Sequence, residues 1–458
     1  MLYSFLRILM KVTVRIFFRS IVIRNKEVIP ENGPLLVLAN HPSTFMDPIV
    51  IATILNRKVY FLGKGELFKS KFAKWLLPKF NMVPVYRKQD DPSQMNKNAE
   101  TFEKCFEHLE NNGAILMFPE GVSFTERKLR TIKTGAARIV LGAEARNDFQ
   151  LGVQIVNIGL NYSDPHHFNN DLFINIHKPI QVSDFKKEYT KDNFLGAQLL
   201  TAEITKQLEK LIIAIEDENT DVLVSHIEML YKSRLVEERG IKEYEKDAEF
   251  LITKNILETV NYFSIHDRTL VEDMRMRIKN YFVKLIELRL SDTDIAPNKH
   301  QTSFFAFSFK SLALIVFGAP FWLYGFINNT LPFEIPAFCA GKISKQKEFR
   351  GAIGMVGGMF TFIIFYTIQI TLVWKYTQSY YFTIAYSISL PISGLFAYWY
   401  FHTVKRIFAK WGIMMLFYKK SVYISKLITE REQIITEFDR AKEKYVLILK
   451  DSKLHPST

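Results

Sequence analysis

The sequence predicts an α/β domain built on a mostly parallel or mixed sheet, joined to a helical accessory region and a C-terminal transmembrane helical hairpin. Three observations predict it. Between residues 30 and 180, short β-rich runs alternate with helix-periodic stretches, as in a sheet whose faces are covered by crossover helices. From 181 to 300 the chain becomes charge-rich and poor in glycine, with apolar residues at helical spacing, as in EITKQLEKLIIAIEDEN. The stretches 351–374 and 376–401 then carry no charge. Each is long enough for a hydrocarbon core of ~30 Å, which takes about 20 helical residues.

Taken in order, residues 1–28 read as a basic amphipathic interfacial helix. Arg7, Lys11, Arg15 and Arg19 recur every four residues on one helical face, while Phe5, Leu6, Leu9, Ile16 and Phe17 fall largely elsewhere. That pattern suits the interface of an anionic membrane. It lacks the uninterrupted apolar stretch of a secretory signal. A helix docked on the protein's own surface is the competing interpretation. The α/β domain spans 29–180, with strands expected at 34–39 (PLLVLA), 58–62 (KVYFL), 82–86 (MVPVY), 114–118 (AILMF), 153–160 (VQIVNIGL) and 172–176 (LFINI). Helices fall near 47–56, 66–79, 98–111 and 131–146. The helical accessory region covers 181–303.

The membrane region covers 304–404, with spans at 351–374 and 380–403 joined near Lys375. Aromatic residues such as Trp374, Tyr380, Tyr381 and Trp399 gather toward the ends of the uncharged stretches, as in interfacial belts. Gly354 and Gly358 form a small-xxx-small pair that would admit a neighbouring helix. Residues 311–333 are also uncharged but are broken by Gly318, Pro320 and Gly325. Lys342, Lys345, Lys347 and Arg350 precede the hairpin, and Lys405, Arg406 and Lys410 follow it. The positive-inside rule puts both flanks in the cytoplasm. Segment 304–340 is therefore expected to be re-entrant or kinked, entering and leaving on one face, with a third full span as the alternative. Residues 405–458 then form a cytosolic C-terminal helix.

Of 458 residues, 48% are hydrophobic and the net charge is +13, a balance that favours anionic partners. No zinc finger, basic zipper or RNP stretch occurs, which sets nucleic acid aside. Cys105 and Cys339 stand too far apart to suggest a disulfide framework or a metal site, in keeping with a reducing, cytosol-facing protein.

The chemistry concentrates at strand ends. NHPSTFMDP follows the run 34–39 and brings His41 within six positions of Asp47. A neutral imidazole is the usual general base near pH 7, and a carboxylate on its other nitrogen fixes the tautomer. No G-x-S-x-G motif occurs and neither cysteine lies near His41, so the nucleophile is expected from the substrate, as a hydroxyl. A helix-capping histidine with Asp47 as a turn residue is the structural alternative. FPEG follows the run 114–118 and puts Glu120 at a tight turn. VPVYR ends in Arg87, able to grip a phosphate or carboxylate in bidentate fashion. RTIKTGAARIV places Lys133 at the start of a helix, whose N–H groups favour anions.

These blocks, in this order, resemble the PlsC-like glycerophospholipid acyltransferase family over residues ~30–180. They are Asn40-His41…Asp47, VPVYR with Arg87, Phe118-Pro119-Glu120-Gly121, and the apolar strand 155–160. The strings NHPSTFMDP, FPEGVSF, LRTIKTGAARIVL and IGLNY look closest to the yeast-type glycerol-3-phosphate/dihydroxyacetone-phosphate acyltransferase branch and its bacterial relatives. Two departures stand out. Five residues rather than four separate His41 from Asp47, a spacing seen in that branch. Asn157 replaces the usual proline, which bears on the acceptor side of the pocket.

The resemblance implies that His41 deprotonates a glycerol hydroxyl as it attacks an acyl thioester, and that Asp47 orients His41. It implies that Glu120 and Gly121, with Asn40 beside them, shape the acceptor site. Arg87 would hold the acceptor phosphate, with Lys133 and Lys64 as further anion contacts. Acyl-CoA or acyl carrier protein would be the co-substrate, with no metal or other cofactor. Backbone N–H groups around 40–47 are the expected oxyanion donors. The expected protein is thus an integral membrane enzyme of phospholipid biosynthesis. Its catalytic domain faces the cytoplasm, at a bacterial inner membrane or its equivalent, and membrane lipid and a phosphorylated glycerol acceptor are its partners. Homo-oligomerisation is left open. A non-catalytic lipid-binding membrane protein, or a thioesterase or lipase using the same dyad with water, are the alternatives.

Overall fold

The computed structural model describes residues 2–86, 98–124, 126–238, 240, 246–295, 304–343, 349–419 and 421–454. The chain divides into two compact units, Met1–Glu216 with Ala337–Gly357, and Asp217–Pro336 with Gly358–Thr458.

The first unit begins with α1 (Leu2–Phe17), β1 (Phe18–Arg24), β2 (Leu35–Ala39), α2 (Met46–Ile54), β3 (Val59–Lys64), α3 (Lys71–Leu76) and β4 (Met82–Val85). It continues through α4 (Asn98–Glu110), β5 (Ala114–Met117), α5 (Gly135–Arg146), β6 (Gln154–Tyr162), β7 (Asn170–Ile176), β8 (Ile180–Gln181), α6 (Lys186–Lys191) and α7 (Asn193–Leu211). The strands form one eight-stranded sheet in the order β1-β7-β6-β2-β5-β3-β4, with β8 beside β6. Strands β6, β2, β5, β3 and β4 run parallel, while β7 runs antiparallel to β6.

The central strand β2 is buried along its whole length, which is why LLVLA has no polar alternation. Leu35, Val37 and Ala39 meet Met46, Val50, Ile51 and Ile54 of α2 on one face. Leu36 and Leu38 meet Ile139, Val140 and Ala143 of α5 and Leu200, Ile204 and Leu208 of α7 on the other. All six expected strands form. The expected helix 1–28 is corrected: it ends at Phe17, and residues 18–24 become a strand parallel to β7. The β-branched run Ile21–Val22–Ile23 pairs better than it coils, and Arg19 closes an ion pair on Asp171 of β7. Helix α1 buries Val14 and Phe17 against the domain and leaves Ile8, Val12 and Ile16 exposed, flanked by Lys11 and Arg15. The expected domain end at 180 is corrected too. Helices α6 and α7 cover the sheet and belong to this unit, which continues to Glu216.

The second unit holds α8 (Glu218–Glu238), α9 (Lys246–His266), α10 (Arg268–Glu287), α11 (Asp292–Ile295) and α15 (Ser421–Leu454), with most of α12 (Phe304–Ile343) and α13 (Arg350–Thr377) and all of α14 (Tyr380–Lys419). Arg431 on α15 bonds both carboxylate oxygens of Asp292 at 2.8 and 3.0 Å and the Leu230 carbonyl of α8 at 3.2 Å. Tyr281 of α10 donates to the same carboxylate at 2.7 Å. All of these side chains are buried.

Segment 304–340 is not a broken element: α12 is one continuous helix despite Pro320, Pro332 and Pro336. Three stretches are long and apolar enough to cross a membrane, Phe307–Ile343, Arg350–Thr377 and Tyr380–Met415. Gly354 and Gly358 have open space around them and make no close helix approach. Gly325 does: a Cβ there would run into the Ser393 carbonyl oxygen of α14. Asn329 of α12 accepts a hydrogen bond from Tyr366 of α13 at 2.6 Å, a polar tie between two apolar helices.

Candidate active site

Parallel strands β2, β5, β3 and β4 end on one edge of the sheet, and His41, Glu120 and Lys64 follow or close three of these strands. Strand β2 delivers Asn40 and His41, and the chain turns back into α2, whose first turn carries Asp47. A carboxylate is favoured at that helix end. Asp47 is wholly buried, and its carboxylate accepts from three donors. His41 Nδ1 lies 2.7 Å from Asp47 Oδ2, the Ser43 amide donates to the same oxygen at 2.8 Å, and the Tyr162 hydroxyl donates to Oδ1 at 2.8 Å.

Because Asp47 faces His41 as an acceptor, Nδ1 carries the proton and Nε2 is left with its lone pair. Phe118 stacks on the imidazole with ring centroids 3.9 Å apart and planes at 12°. The ring is therefore held on a face and on an edge, yet its side chain keeps 18% of its surface exposed. A fixed tautomer with one accessible basic nitrogen is the arrangement of a general base.

Glu120 serves a different purpose from the one expected. It is buried, and its two oxygens accept from the His41 amide at 3.0 Å and the Arg130 amide at 3.0 Å. Burial pushes its carboxyl above the ordinary value, against the pull of these two bonds. Glu120 thus ties the FPEG turn to the dyad loop. The Phe124 amide donates to the His41 carbonyl at 3.2 Å, and the Thr44 amide donates to Ser123 Oγ at 2.9 Å. Thr44 adopts φ 29°, a left-handed conformation that accommodates the five-residue spacing between His41 and Asp47.

Gly121 has φ 70°, and a Cβ there would stand 2.9 Å from Lys133 Nζ. Lys133 therefore lies directly over the FPEG turn, with its amide bonded to the Pro119 carbonyl at 3.0 Å. The Asn40 amide is spent on backbone, donating to Leu160 O at 3.0 Å and accepting from Leu160 N at 2.7 Å. It clamps β2 to β6 and is corrected from a substrate contact to a structural one. Lys64 ends β3 in an exposed position, two strands from β2. Arg87 lies outside the described residues. Asn157 is buried on the opposite face of the sheet, where it bonds Gln207 of α7 at 2.8 Å. It therefore lies on the side of the sheet away from α2, which carries Asp47.

The expected oxyanion donors of loop 40–47 are largely engaged. The amides of His41, Ser43 and Thr44 bond Glu120, Asp47 and Ser123, and that of Met46 bonds the Ser43 carbonyl at 2.8 Å. Among the described residues, no three His, Cys, Asp or Glu side chains gather as a metal site. Sequence reasoning overlooked Tyr162, Phe118 and Arg130 as site residues. The first stands in IGLNY and the second in FPEG, so their strings were in view without a role.

Residues 20–161 match the family model named Acyltransferase. The chain is 23% identical over 320 residues to glycerol-3-phosphate O-acyltransferase 1 of Saccharomyces cerevisiae, covering 51% of this chain and 42% of that one. It is 28% identical over 120 residues to a chloroplastic 1-acyl-sn-glycerol-3-phosphate acyltransferase of Arabidopsis thaliana, covering 26% of this chain and 32% of that one. The chain therefore spans less than half the length of these curated relatives. The 1-acyl-sn-glycerophosphate acyltransferase PlsC of Thermotoga maritima aligns at a TM-score of 0.34 and 20% identity, covering 47% of this chain and 81% of that one. The matched residues 20–161 carry the His41–Asp47 couple and the FPEG turn, so it is this part of the chain that is similar to the acyltransferase family.

Proposed function

We propose that the protein is a membrane-bound O-acyltransferase that moves a fatty acyl group from an acyl thioester to a hydroxyl of glycerol-3-phosphate or 1-acylglycerol-3-phosphate. The observation that carries this reading is the His41–Asp47 couple, 2.7 Å apart, with Nε2 left free to act as a base. Nε2 takes the proton of the acceptor hydroxyl as its oxygen attacks the thioester carbonyl. The new C–O bond forms, the C–S bond breaks, and the thiolate leaves. A thiol of pKa ~8.5 is a competent leaving group and recovers the proton from the imidazolium. A positioned base contributes roughly 10²–10⁴-fold. Lys133 over the FPEG turn and the exposed Lys64 supply positive charge on the same sheet edge for a phosphorylated acceptor, with Arg87 as the further contact proposed from the sequence.

Acyl-CoA or acyl carrier protein is the proposed donor. The proposed seat is the cytoplasmic face of a membrane, with spans at 351–374 and 380–403 and with the continuous helix α12 as a third apolar helix beside them. Two features support this topology. Residues Ala337–Gly357 belong to the same compact unit as the α/β domain. Basic Lys342, Arg350, Lys405 and Lys410 flank the hairpin, while Lys345 and Lys347 lie outside the described residues. The test is purified protein in nanodiscs with one acyl-CoA and a labelled acceptor panel, run beside His41→Ala. Acylated acceptor with the parent protein and none with the variant is expected. Free fatty acid without acylated acceptor would indicate a hydrolase. Lipid binding without thioester consumption would indicate a non-catalytic protein.

A further inference from the structure

We propose that Tyr162 is a positioning residue that sets the basicity of His41 through Asp47. The proposal rests on the acyltransferase reading above. Tyr162 ends β6, on the face shared by Val156, Ile158 and Leu160, with its ring 5.8 Å from that of Phe18. Two residues earlier, Asn40 clamps Leu160 by both its amide and its carbonyl. The end of β6 is therefore held in register with the loop that carries His41. The Tyr162 hydroxyl reaches Asp47 Oδ1 at 2.8 Å, while Oδ2 serves His41 and the Ser43 amide.

Asp47 is one full charge shared among three donors. Each donor draws density away from the others, and hydrogen bonds to a charged partner are the strong ones. Tyr162 therefore limits how strongly the carboxylate favours the imidazolium. Burial and the neighbouring carboxylate hold the phenol well above its ordinary value, so it remains a donor through the working pH range. Among the described residues, Glu120 also bears on the couple, through the His41 amide. Lys133 lies over the turn that follows Glu120. Neither changes in a Tyr162 variant.

Tyr162→Phe keeps the ring and its packing and removes only the donor. Asp47 Oδ1 then carries more charge toward His41, the imidazolium is favoured, and more alkaline conditions are needed to free the base. Two measurements test this. Site-resolved modification of His41 by diethyl pyrocarbonate, followed by peptide mass spectrometry, reads its titration without any turnover. The midpoint is expected to move upward by roughly half a unit to one unit, with exposed His266 unchanged. The acid limb of the kcat/KM profile for acyl transfer should move by the same amount, so that the variant loses activity at pH 6 and approaches the parent at pH 9. An unchanged His41 midpoint, or a loss of equal size at every pH, overturns the proposal. A parent protein whose His41 midpoint responds to Tyr162→Phe but which acylates nothing overturns the acyltransferase reading instead. Thermal midpoints of both proteins guard against a folding defect.

Discussion

At the scale of single residues, the site divides into groups that react and groups that hold them. His41 is the proposed reacting group. His41→Ala should lower kcat by about 10²–10⁴-fold with little change in the thermal midpoint, because the ring is partly exposed; turnover near the parental rate would remove His41 from the mechanism. Glu120 holds. Glu120→Gln puts an amide NH2 against one of two backbone N–H donors and should cost about 1–3 kcal/mol of stability, read by chemical denaturation. Its pH dependence has a defined sign. The folded-state pKa is raised by burial, so Glu120 favours the folded state most at low pH, below its unfolded value. That contribution is lost as the pH rises from the ordinary carboxylate value through the raised one. The Gln variant should show a flatter stability profile across that window. His41, Asp47 and FPEG were legible because the chemistry sits within a few positions of chain. Asn40 and Tyr162 were not, because their partners lie 120 and 115 residues away. Only the pairing of β2 with β6 brings them together.

At the scale of elements, the strands of the α/β domain were legible from short apolar runs bounded by turns. β1 was hidden by its own charges: a basic residue every fourth position, through Arg19, continues the helical pattern of α1 past the point where the backbone extends. Helix α7 was read as an accessory because its charged face dominates the local pattern. Its apolar face, Ala197, Leu200, Ile204 and Leu208, is what covers the sheet. Gly159 of β6 marks how closely the end of α7 approaches, since a Cβ there would run into Leu211. Gly159→Val should destabilise the domain by about 1–3 kcal/mol, seen as a lower thermal midpoint, whereas Gly152→Ala, in open space but at φ 76°, reports backbone strain alone. In the membrane region the small-residue motif in the sequence pointed to Gly354 and Gly358. The close approach lies instead at Gly325, where no repeat announces it.

At the scale of the whole molecule, a buried ion pair, Asp292 with Arg431, ties α11 to α15 in the second unit. Removing one partner of such a pair costs about 3–5 kcal/mol, while replacing both with apolar groups is often neutral. Asp292→Ala should therefore expose α15 to limited proteolysis, and the double change Asp292→Leu with Arg431→Met should restore protection. The pair also limits how the polypeptide is threaded. Two side chains in hydrogen bond occupy one aqueous compartment, so the chain between residues 292 and 431 traverses the bilayer an even number of times. Three helices in that interval are long enough to do so, so two of them at most would cross. Cys339 reports which, since Cys105 is buried with its thiol pushed up to about 12 and stays silent. An impermeant maleimide should reach Cys339 in inside-out vesicles and miss it in right-side-out ones; the opposite labelling would make α12 one of the crossing helices.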